Sequence, residues 1–317
     1  MRPRSMARRY TARRYMARGL RPLAGLGILA ALLWWHSTSA FTAALRAVDA
    51  PSIALALGIG LATTVLSAAR WRAVARRLGL HLPLRRAVAD YYRSQFLNAV
   101  LPAGVLGDVH RAVSHGHRER DVAGGVRAVV LERAAGQAVL LTAGAAVLLA
   151  RPSLLPALGP AVVPGLAALG VLAGVLVVAR RRSFDVRPVL DAWPLVTALS
   201  AGALAGHVTL FLVAARLAGA TAPLADLVPL VLLALLVMAL PINIGGWGPR
   251  EAVLSLAFGA AGLGAERGLT VAVVYGVLAF VASLPGALAL LLQDRQAPPE
   301  RPDQVREDVP ALAGRGQ

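Results

Sequence analysis

Six long apolar segments limit what this chain can fold into more than any other feature of its sequence. A helix that crosses the hydrocarbon core of a bilayer needs about 20 mostly apolar residues. Of all residues, 57% are hydrophobic and 15% are charged, whereas an ordinary soluble domain carries about 25% charged residues. The sequence therefore predicts an all-α integral membrane protein with six transmembrane helices. Their approximate ranges are 22–40, 52–69, 128–150, 156–179, 194–215 and 269–292.

Two other apolar stretches, residues 94–107 and 227–263, are too irregular to be ordinary spans. The first is interrupted by Pro102, and the second by Pro241 and a group of glycines. Proline removes a helical hydrogen bond, and glycine loosens the backbone. We therefore predict that each stretch forms two half-helices that meet at a non-helical turn.

The distribution of arginine predicts the orientation of these segments. All 33 basic residues are arginine, against 16 acidic residues, which gives a net charge of +17. Loops on the cytoplasmic side of a membrane carry the excess of positive charge. Eight arginines lie in residues 1–21, seven in 70–93 and four in 108–127. All three segments are thus predicted to be cytoplasmic, and the stretch 94–107 should enter and leave the membrane on the same side.

The same argument places both ends of the stretch 227–263 outside, because its flanking segments 216–226 and 264–268 are poor in charge. The chain then contains two oppositely oriented re-entrant helical hairpins. Each half has three spans and one hairpin, and an odd number of crossings makes the halves an inverted repeat. The predicted parts are a basic cytoplasmic N-terminal tail (1–21), a transmembrane domain (22–293) with halves at about 22–150 and 156–293, and a disordered cytoplasmic tail (294–317).

Charge and composition also exclude several classes of function. A strong positive charge is typical of nucleic-acid-binding proteins, but these arginines lie between apolar segments, so we predict no nucleic-acid partner. The chain has no cysteine, which excludes thiolate metal sites and cysteine nucleophiles. The motifs of soluble-type catalysis are absent from the sequence. We therefore predict no catalytic residues, no metal and no cofactor.

Interrupted segments at matching places in two inverted halves point to a substrate site near the bilayer midplane. The ionisable residues beside them are Asp108, Arg111, Glu132, Arg133, Arg250 and Glu251. Each charge would cost about 2.5–3.5 kcal/mol if it faced lipid at the middle of a helix. Neighbours on a helix point about 100° apart, so adjacent residues should find partners elsewhere. The expected pairs are Glu132 with Arg250, and Arg133 with Asp108 or Glu251.

These charges have two alternative roles, in a substrate site or in a scaffold that only holds the hairpins. Arg111 and Arg250 are candidate ligands of a lipid phosphate, because a guanidinium matches phosphate oxygens bidentately. The glycines of the second interruption would let backbone amides approach the same anion.

Other polar residues are weaker candidates. A polar stripe on the first broken arm consists of Ser94, Gln95 and Asn98, which either cap a helix end or contact a headgroup. His207, in the middle of a span, is expected to be a hydrogen-bonded packing residue. Three further histidines are expected to form a solvated face: His110, His115 and His117.

Three motifs surround the interruptions: SQFLNAVLPAGVLGDVHR (94–111), LER (131–133) and LPINIGGWGPRE (240–251). Together they resemble the lysylphosphatidylglycerol synthase transmembrane family, the flippase-like domain of multiple peptide resistance factor proteins. The resemblance covers about residues 20–293. It implies an all-helical fold that moves anionic or aminoacylated phospholipids, polyprenyl-linked lipids or other lipids between leaflets.

Two features depart from the family pattern. Leu106 stands where the family usually repeats glycine, and the chain ends about 25 residues after its last predicted span. We therefore expect no soluble synthetase domain and no synthesis of lysyl-lipid by this chain. The candidate substrate-binding residues are Asn98, Pro102, Gly107, Asp108, Arg111, Glu132, Arg133, Pro241, Asn243, Gly245, Gly246, Trp247, Gly248, Arg250 and Glu251.

The sequence thus predicts a multi-pass protein of the cell inner membrane, with both termini cytoplasmic. Its predicted function is translocation of an anionic or modified lipid between leaflets, without enzymatic chemistry, by a scramblase-like or an ion-coupled mechanism. One alternative is a non-transporting accessory or scaffold protein of envelope glycolipid or polyprenyl-lipid assembly. Another is an intramembrane enzyme with Asp108 or Glu251 as base. The predicted partners are a phospholipid or polyprenyl-linked lipid, anionic headgroups and a separate lipid-modifying enzyme; the oligomeric state stays open.

Overall fold

Residues 38–101, 104–152, 191–239 and 248–296 are described by a computed structural model, and all regular secondary structure in them is helical. This agrees with the predicted all-α fold. The helices are α1 (Thr38–Ala47), α2 (Ala50–Arg77), α3 (Leu84–Val100), α4 (Leu106–Glu119), α5 (Val122–Ala150), α6 (Trp193–Leu217), α7 (Leu224–Met238), α8 (Pro249–Ala260), α9 (Ala265–Ser283) and α10 (Pro285–Gln296).

Four segments of the described chain are long and apolar enough to cross a membrane. They are Ala50–Arg77, Val122–Ala150, Trp193–Leu217 and Ala265–Leu292, the last of which joins α9 to most of α10. Each contains one of the predicted spans, so four of the six are confirmed as helices of sufficient length. The predicted span 156–179 and nearly all of 22–40 lie outside the described residues.

Helix α2 shows how local sequence sets the ends of a span. The Asp49 carboxylate accepts a hydrogen bond from the Ser52 amide (2.9 Å), and the Ser52 hydroxyl accepts one from the Asp49 amide (3.0 Å). This reciprocal cap satisfies amides at the helix start, and Pro51 fits the first turn without losing a hydrogen bond. Gly79, with φ of 78°, follows the last turn, as is common at helix ends.

Both predicted interruptions separate two helices. Helix α3 is separated from α4, and α7 from α8, and in each case the two helices pack against each other. Pro102 and Pro241, to which the sequence attributes the breaks, lie outside the described residues.

The first broken stretch is longer than predicted, because segments assigned to cytoplasmic loops are helical. Helix α3 begins at Leu84, ten residues earlier than expected, and α4 continues to Glu119. Polar residues of these helices are held inside the protein. Asp90 is 3% exposed and accepts hydrogen bonds from Arg93 and Arg118. Hydropathy assigns such segments to loops because it does not register that buried charges are paired.

The largest apolar core lies among α6, α7, α8 and α9. Phe211 of α6 and Tyr275 of α9 stack with their ring centroids 3.5 Å apart. Every residue of α7 from Pro229 to Val237 is buried. A helix that is apolar and buried all round is enclosed by protein, so the first arm of the second broken stretch lies in the protein interior.

The helix contacts follow one pattern in both halves of the chain. Corresponding helices are α2 and α6, α3 and α7, α4 and α8, and α5 and α9. Within the halves, the contacts α2–α3, α3–α4, α4–α5 and α2–α5 recur as α6–α7, α7–α8, α8–α9 and α6–α9. Between the halves, the contacts α2–α9 and α3–α9 recur as α6–α5 and α7–α5. Helices α2 and α6 pack against each other. An exchange of the two halves therefore preserves these contacts.

Two glycines permit close helix approach at corresponding places. A Cβ atom at Gly125 would lie 2.6 Å from a backbone carbonyl oxygen of α4, and one at Gly268 would lie 2.2 Å from a backbone carbonyl oxygen of α8. Gly125 follows Asp108 by 125 − 108 = 17 residues, and Gly268 follows Glu251 by 268 − 251 = 17 residues. The helix pairs α4–α5 and α8–α9 thus share both the close contact at a glycine and the sequence separation of that glycine from the acidic residue.

Candidate functional site

A cavity of about 390 Å³ lies at the centre of the described bundle and is lined by residues of α2, α3, α5, α6, α7, α8 and α9. This volume is within the range of about 300–1,000 Å³ that is usual for ligand sites. Both interruptions border it: Asn98 and Gly104 flank the first, and Met238 and Arg250 flank the second. The two broken stretches therefore converge on one space.

The wall of this cavity is basic. Among its described lining residues, the side chains that carry a full charge are Arg70, Arg133 and Arg250. The wall also carries uncharged polar side chains, among them Gln95, Asn98, Gln137, Ser200 and His207. An anionic group is the ligand that such a wall favours, because guanidinium groups form charge-assisted hydrogen bonds with it.

Glu132 of α5 is the centre of a buried ion network behind this wall. It is 0% exposed. Its carboxylate accepts hydrogen bonds from the Arg70 guanidinium through Nε (2.8 Å) and Nη2, from Arg111 Nη2 (2.6 Å) and from the Tyr91 hydroxyl (3.2 Å). Arg70 also donates to the Ser200 hydroxyl (3.1 Å). One carboxylate thus joins α2, α3, α4 and α5, and through Arg70 also α6.

Asp108 extends the network along the first interruption. Its carboxylate accepts hydrogen bonds from Arg111 Nε (2.9 Å), Ser94 Oγ (3.0 Å) and Asn98 Nδ2 (3.2 Å). Arg133 Nη2 lies 2.6 Å from the same carboxylate, which confirms the predicted pair of Arg133 with Asp108. Two residues of the predicted polar stripe, Ser94 and Asn98, therefore hold the start of α4, whereas Gln95 accepts a hydrogen bond from Thr64 of α2.

Arg111, a predicted phosphate ligand, lies behind the wall and does not line the cavity. It is 0% exposed and its guanidinium lies over two aromatic rings, 4.8 Å from the Trp71 centroid and 4.4 Å from the Tyr91 centroid. Such cation–π contacts stabilise a desolvated guanidinium. At this position Arg111 holds the Glu132 and Asp108 carboxylates rather than contacting a ligand directly.

The second interruption has its own ion pair, and it corrects one prediction. Arg250 donates from Nε (3.1 Å) and Nη2 (2.5 Å) to the Glu251 carboxylate, so the expected pair of Glu132 with Arg250 is wrong. Adjacent residues can pair here because Glu251 folds back over the start of α8, where its other oxygen accepts the Gly248 amide (2.6 Å). Arg250 also lies over the Tyr275 ring at 5.5 Å.

The predicted site residues therefore fall into three groups. Those that line the cavity are Asn98, Arg133 and Arg250. Those that support the wall or the interruptions are Gly107, Asp108, Arg111, Glu132, Gly248 and Glu251. Those that lie outside the described residues are Pro102, Pro241, Asn243, Gly245, Gly246 and Trp247.

Arg70 is a charged residue of the cavity wall that the sequence analysis does not single out. The charge pattern places it in a cytoplasmic segment, yet it lies within α2, is 6% exposed and lines the cavity. Thr63, Ser67 and Arg70 stand at positions i, i+4 and i+7 and all line the cavity, so a polar stripe along one face of a span is the signal that identifies them. A Cβ at Gly136 would lie 2.9 Å from Arg70 Nη1, so this glycine makes room for the guanidinium.

Two histidine predictions have different outcomes. His115 is not on a solvated face: it is 1% exposed, and its ring meets the Trp71 ring edge-on at 5.4 Å. His207 lines the cavity, where an imidazole can offer a hydrogen bond to a bound group as well as pack.

Comparison with known proteins assigns the family. The family model described as the lysylphosphatidylglycerol synthase TM region matches residues 23–286, which is most of the chain. The protein belongs to this family. No curated protein and no solved structure matches the chain. Family membership and the four long apolar helices make this a multi-pass membrane protein of lipid metabolism.

Proposed function

We propose that the protein is a flippase-like translocase that moves a lipid or lipid-linked substrate between the leaflets of the membrane. The observation that carries the proposal is the central cavity, whose wall is basic and polar inside a bundle of apolar helices. A headgroup that crosses a bilayer needs such polar partners, because lipid tails satisfy none of its hydrogen bonds. The acyl chains would stay in the bilayer while the headgroup passes through the cavity.

The proposed architecture is six transmembrane helices and two oppositely oriented re-entrant hairpins, related as an inverted repeat. The recurrence of helix contacts between the halves supports it, as does the equal spacing of Asp108 to Gly125 and of Glu251 to Gly268. The arginine-rich segments between the predicted spans support cytoplasmic termini and insertion in the cell inner membrane. In transporters with such repeats, the substrate site lies where the interrupted helices meet, which is where this cavity lies.

The ion network gives the first interruption a fixed support. Two carboxylates and three arginines hold the start of α4 against α2, α3 and α5. Irregular backbone at membrane depth is tolerated only where protein or a watery cavity surrounds it. The network and the enclosed helix α7 meet this requirement on either side of the cavity.

We further propose that this chain performs no covalent chemistry. Asp108 and Glu251, the two candidate bases, both accept hydrogen bonds from arginines. Carboxylates engaged in these ion pairs are placed to hold the helices rather than to take a proton from a bound lipid. A separate lipid-modifying enzyme would therefore supply any modified lipid. If the chain transports nothing, the accessory role in envelope lipid assembly is the remaining candidate.

Replacement of Arg250 by glutamine should slow leaflet exchange by about tenfold or more, because a charge-assisted hydrogen bond contributes about 1.5–3 kcal/mol and 1.4 kcal/mol is tenfold. The measurement is dithionite quenching of a fluorescent phospholipid in vesicles that contain the purified chain. Arg267→Gln is the matched control, because Arg267 is exposed at the start of α9. Exchange by the unmodified chain no faster than in empty vesicles would contradict translocation and favour the accessory role.

A further inference from the structure

The ion network carries an excess of positive charge. Its ionised members are Arg70, Arg111, Arg133, Asp108 and Glu132. Three positive and two negative charges give 3 − 2 = +1. The Arg250–Glu251 pair beside it adds one charge of each sign. The described charged groups around the cavity therefore leave one positive charge to be balanced, and buried charges are balanced by partners of opposite sign.

Arg133 presents this charge to the cavity. Its side chain is 40% exposed, compared with 7% for Arg70 and 2% for Arg250. Its guanidinium contacts the Asp108 carboxylate through Nη2. Within the described part of the chain, its buried Nε atom has no hydrogen-bond partner. A buried donor of this kind costs free energy until an acceptor meets it.

Gln137 stands one helical turn beyond Arg133 on α5 and also lines the cavity. Its buried Oε1 atom likewise has no hydrogen-bond partner among the residues that the structure describes. A donor and an acceptor without partners among the described residues thus belong to two side chains, one helical turn apart on α5, that both line the cavity. The Arg133 donor matches a phosphate oxygen, and the Gln137 acceptor matches a neighbouring hydroxyl group, as in a polyol phosphate.

We infer that the substrate headgroup is a net-anionic phosphate that binds at Arg133 and Gln137. Aminoacylated headgroups are then disfavoured. This inference rests on the proposed function. In a lysyl ester of a phospholipid, ammonium groups outnumber the single phosphate charge. Such a headgroup would face Arg70, Arg133 and Arg250 without a carboxylate among the described lining residues. The nearby carboxylates, Glu132 and Asp108, are already paired with arginines of the network.

Competitive binding tests this headgroup class directly. The detergent-solubilised full chain is incubated with equimolar phosphatidylglycerol and lysyl-phosphatidylglycerol of identical acyl chains, and bound lipid is counted by native mass spectrometry. We expect phosphatidylglycerol to be favoured about tenfold or more, as a charge-assisted hydrogen bond predicts. Equal binding, or preference for the lysyl form, would overturn the inference. Displacement of the lipid by equimolar inorganic phosphate would also overturn it, because the ligand would then be the free ion.

Two variants of the wall sharpen the test. Arg133→Gln removes the charge, and Gln137→Glu places a carboxylate beside it with little change of shape. Both should lower the preference for phosphatidylglycerol about tenfold, and the second should also strengthen binding of the lysyl form. Arg77→Gln is the control with the same charge change, because Arg77 is 45% exposed and pairs with Asp191 at the surface. An unchanged preference in Gln137→Glu, a variant that keeps the ion network intact, would contradict the assigned site.

Measuring leaflet exchange of the same two lipids distinguishes failure of this inference from failure of the proposed function. Selective binding of phosphatidylglycerol without exchange of any lipid would overturn translocation and leave the headgroup class standing. Exchange of lysyl-phosphatidylglycerol as fast as phosphatidylglycerol would overturn the headgroup class and leave translocation standing.

Discussion

Glu132→Gln should destabilise the protein by about 3–5 kcal/mol, which is the usual cost of removing one partner from a buried ion pair. Glu132 is 0% exposed and holds both Arg70 and Arg111. Without its charge, the three arginines of the network would be left with the single carboxylate of Asp108. The measurement is the apparent Tm of the purified chain in detergent, together with its yield.

Glu266→Gln is the matched control for this variant. Glu266 lies in the first turn of α9 and is exposed, so the same substitution there should change stability by only a few tenths of a kcal/mol. An apparent Tm of Glu132→Gln equal to that of the control would show that the network does not hold α4 in place.

Gly107→Ala should destabilise the first interruption by about 1–3 kcal/mol through overpacking. A Cβ atom at this position would lie 2.1 Å from the carbonyl oxygen of Ser94 and 2.8 Å from Oδ1 of Asn98. The Gly107 amide donates to that same Oδ1 at 2.7 Å. The added methyl group must therefore separate α3 from α4. The expected result is a lower apparent Tm and slower leaflet exchange.

Gly58→Ala, the same substitution at an open position, should not lower the apparent Tm. Gly58 lies within α2, and a Cβ atom there would have nothing within 4 Å. Alanine is favoured over glycine in a helix interior by about 0.5–1 kcal/mol, so the apparent Tm should stay the same or rise. If Gly107→Ala behaves like Gly58→Ala, the close contact of α3 with α4 is not a determinant of the fold.

The spans were predictable, whereas the helices between them were only partly so. An uninterrupted apolar segment leaves a helix as its main option in a bilayer, and four such segments form the expected helices. Helices α3 and α4 extend beyond their prediction because Asp90, Arg111 and His115 are buried by partners from other parts of the chain. Hydropathy measures each residue alone, so it assigns such segments to solvent.

The residues at the interruptions were identified from sequence, but their partners were not. The pair of Asp108 with Arg133 follows from the expectation that buried charges pair across helices. The pair of Arg250 with Glu251 does not, because it depends on a carboxylate that folds back to cap α8. Arg70 was missed because an arginine at the end of an apolar segment is also what a cytoplasmic loop provides.

Blocking the cavity tests whether the headgroup passes through it. The chain contains no cysteine, so Ala279→Cys would place a single thiol on the cavity wall, and Ala265→Cys would place one on the exposed start of the same helix. Both variants are reconstituted, and exchange of fluorescent phosphatidylglycerol is measured before and after reaction with a bulky maleimide, with mass spectrometry to establish complete labelling. We expect labelling to stop exchange in Ala279→Cys and to leave exchange in Ala265→Cys unchanged. Undiminished exchange by fully labelled Ala279→Cys would contradict passage of the headgroup through this cavity.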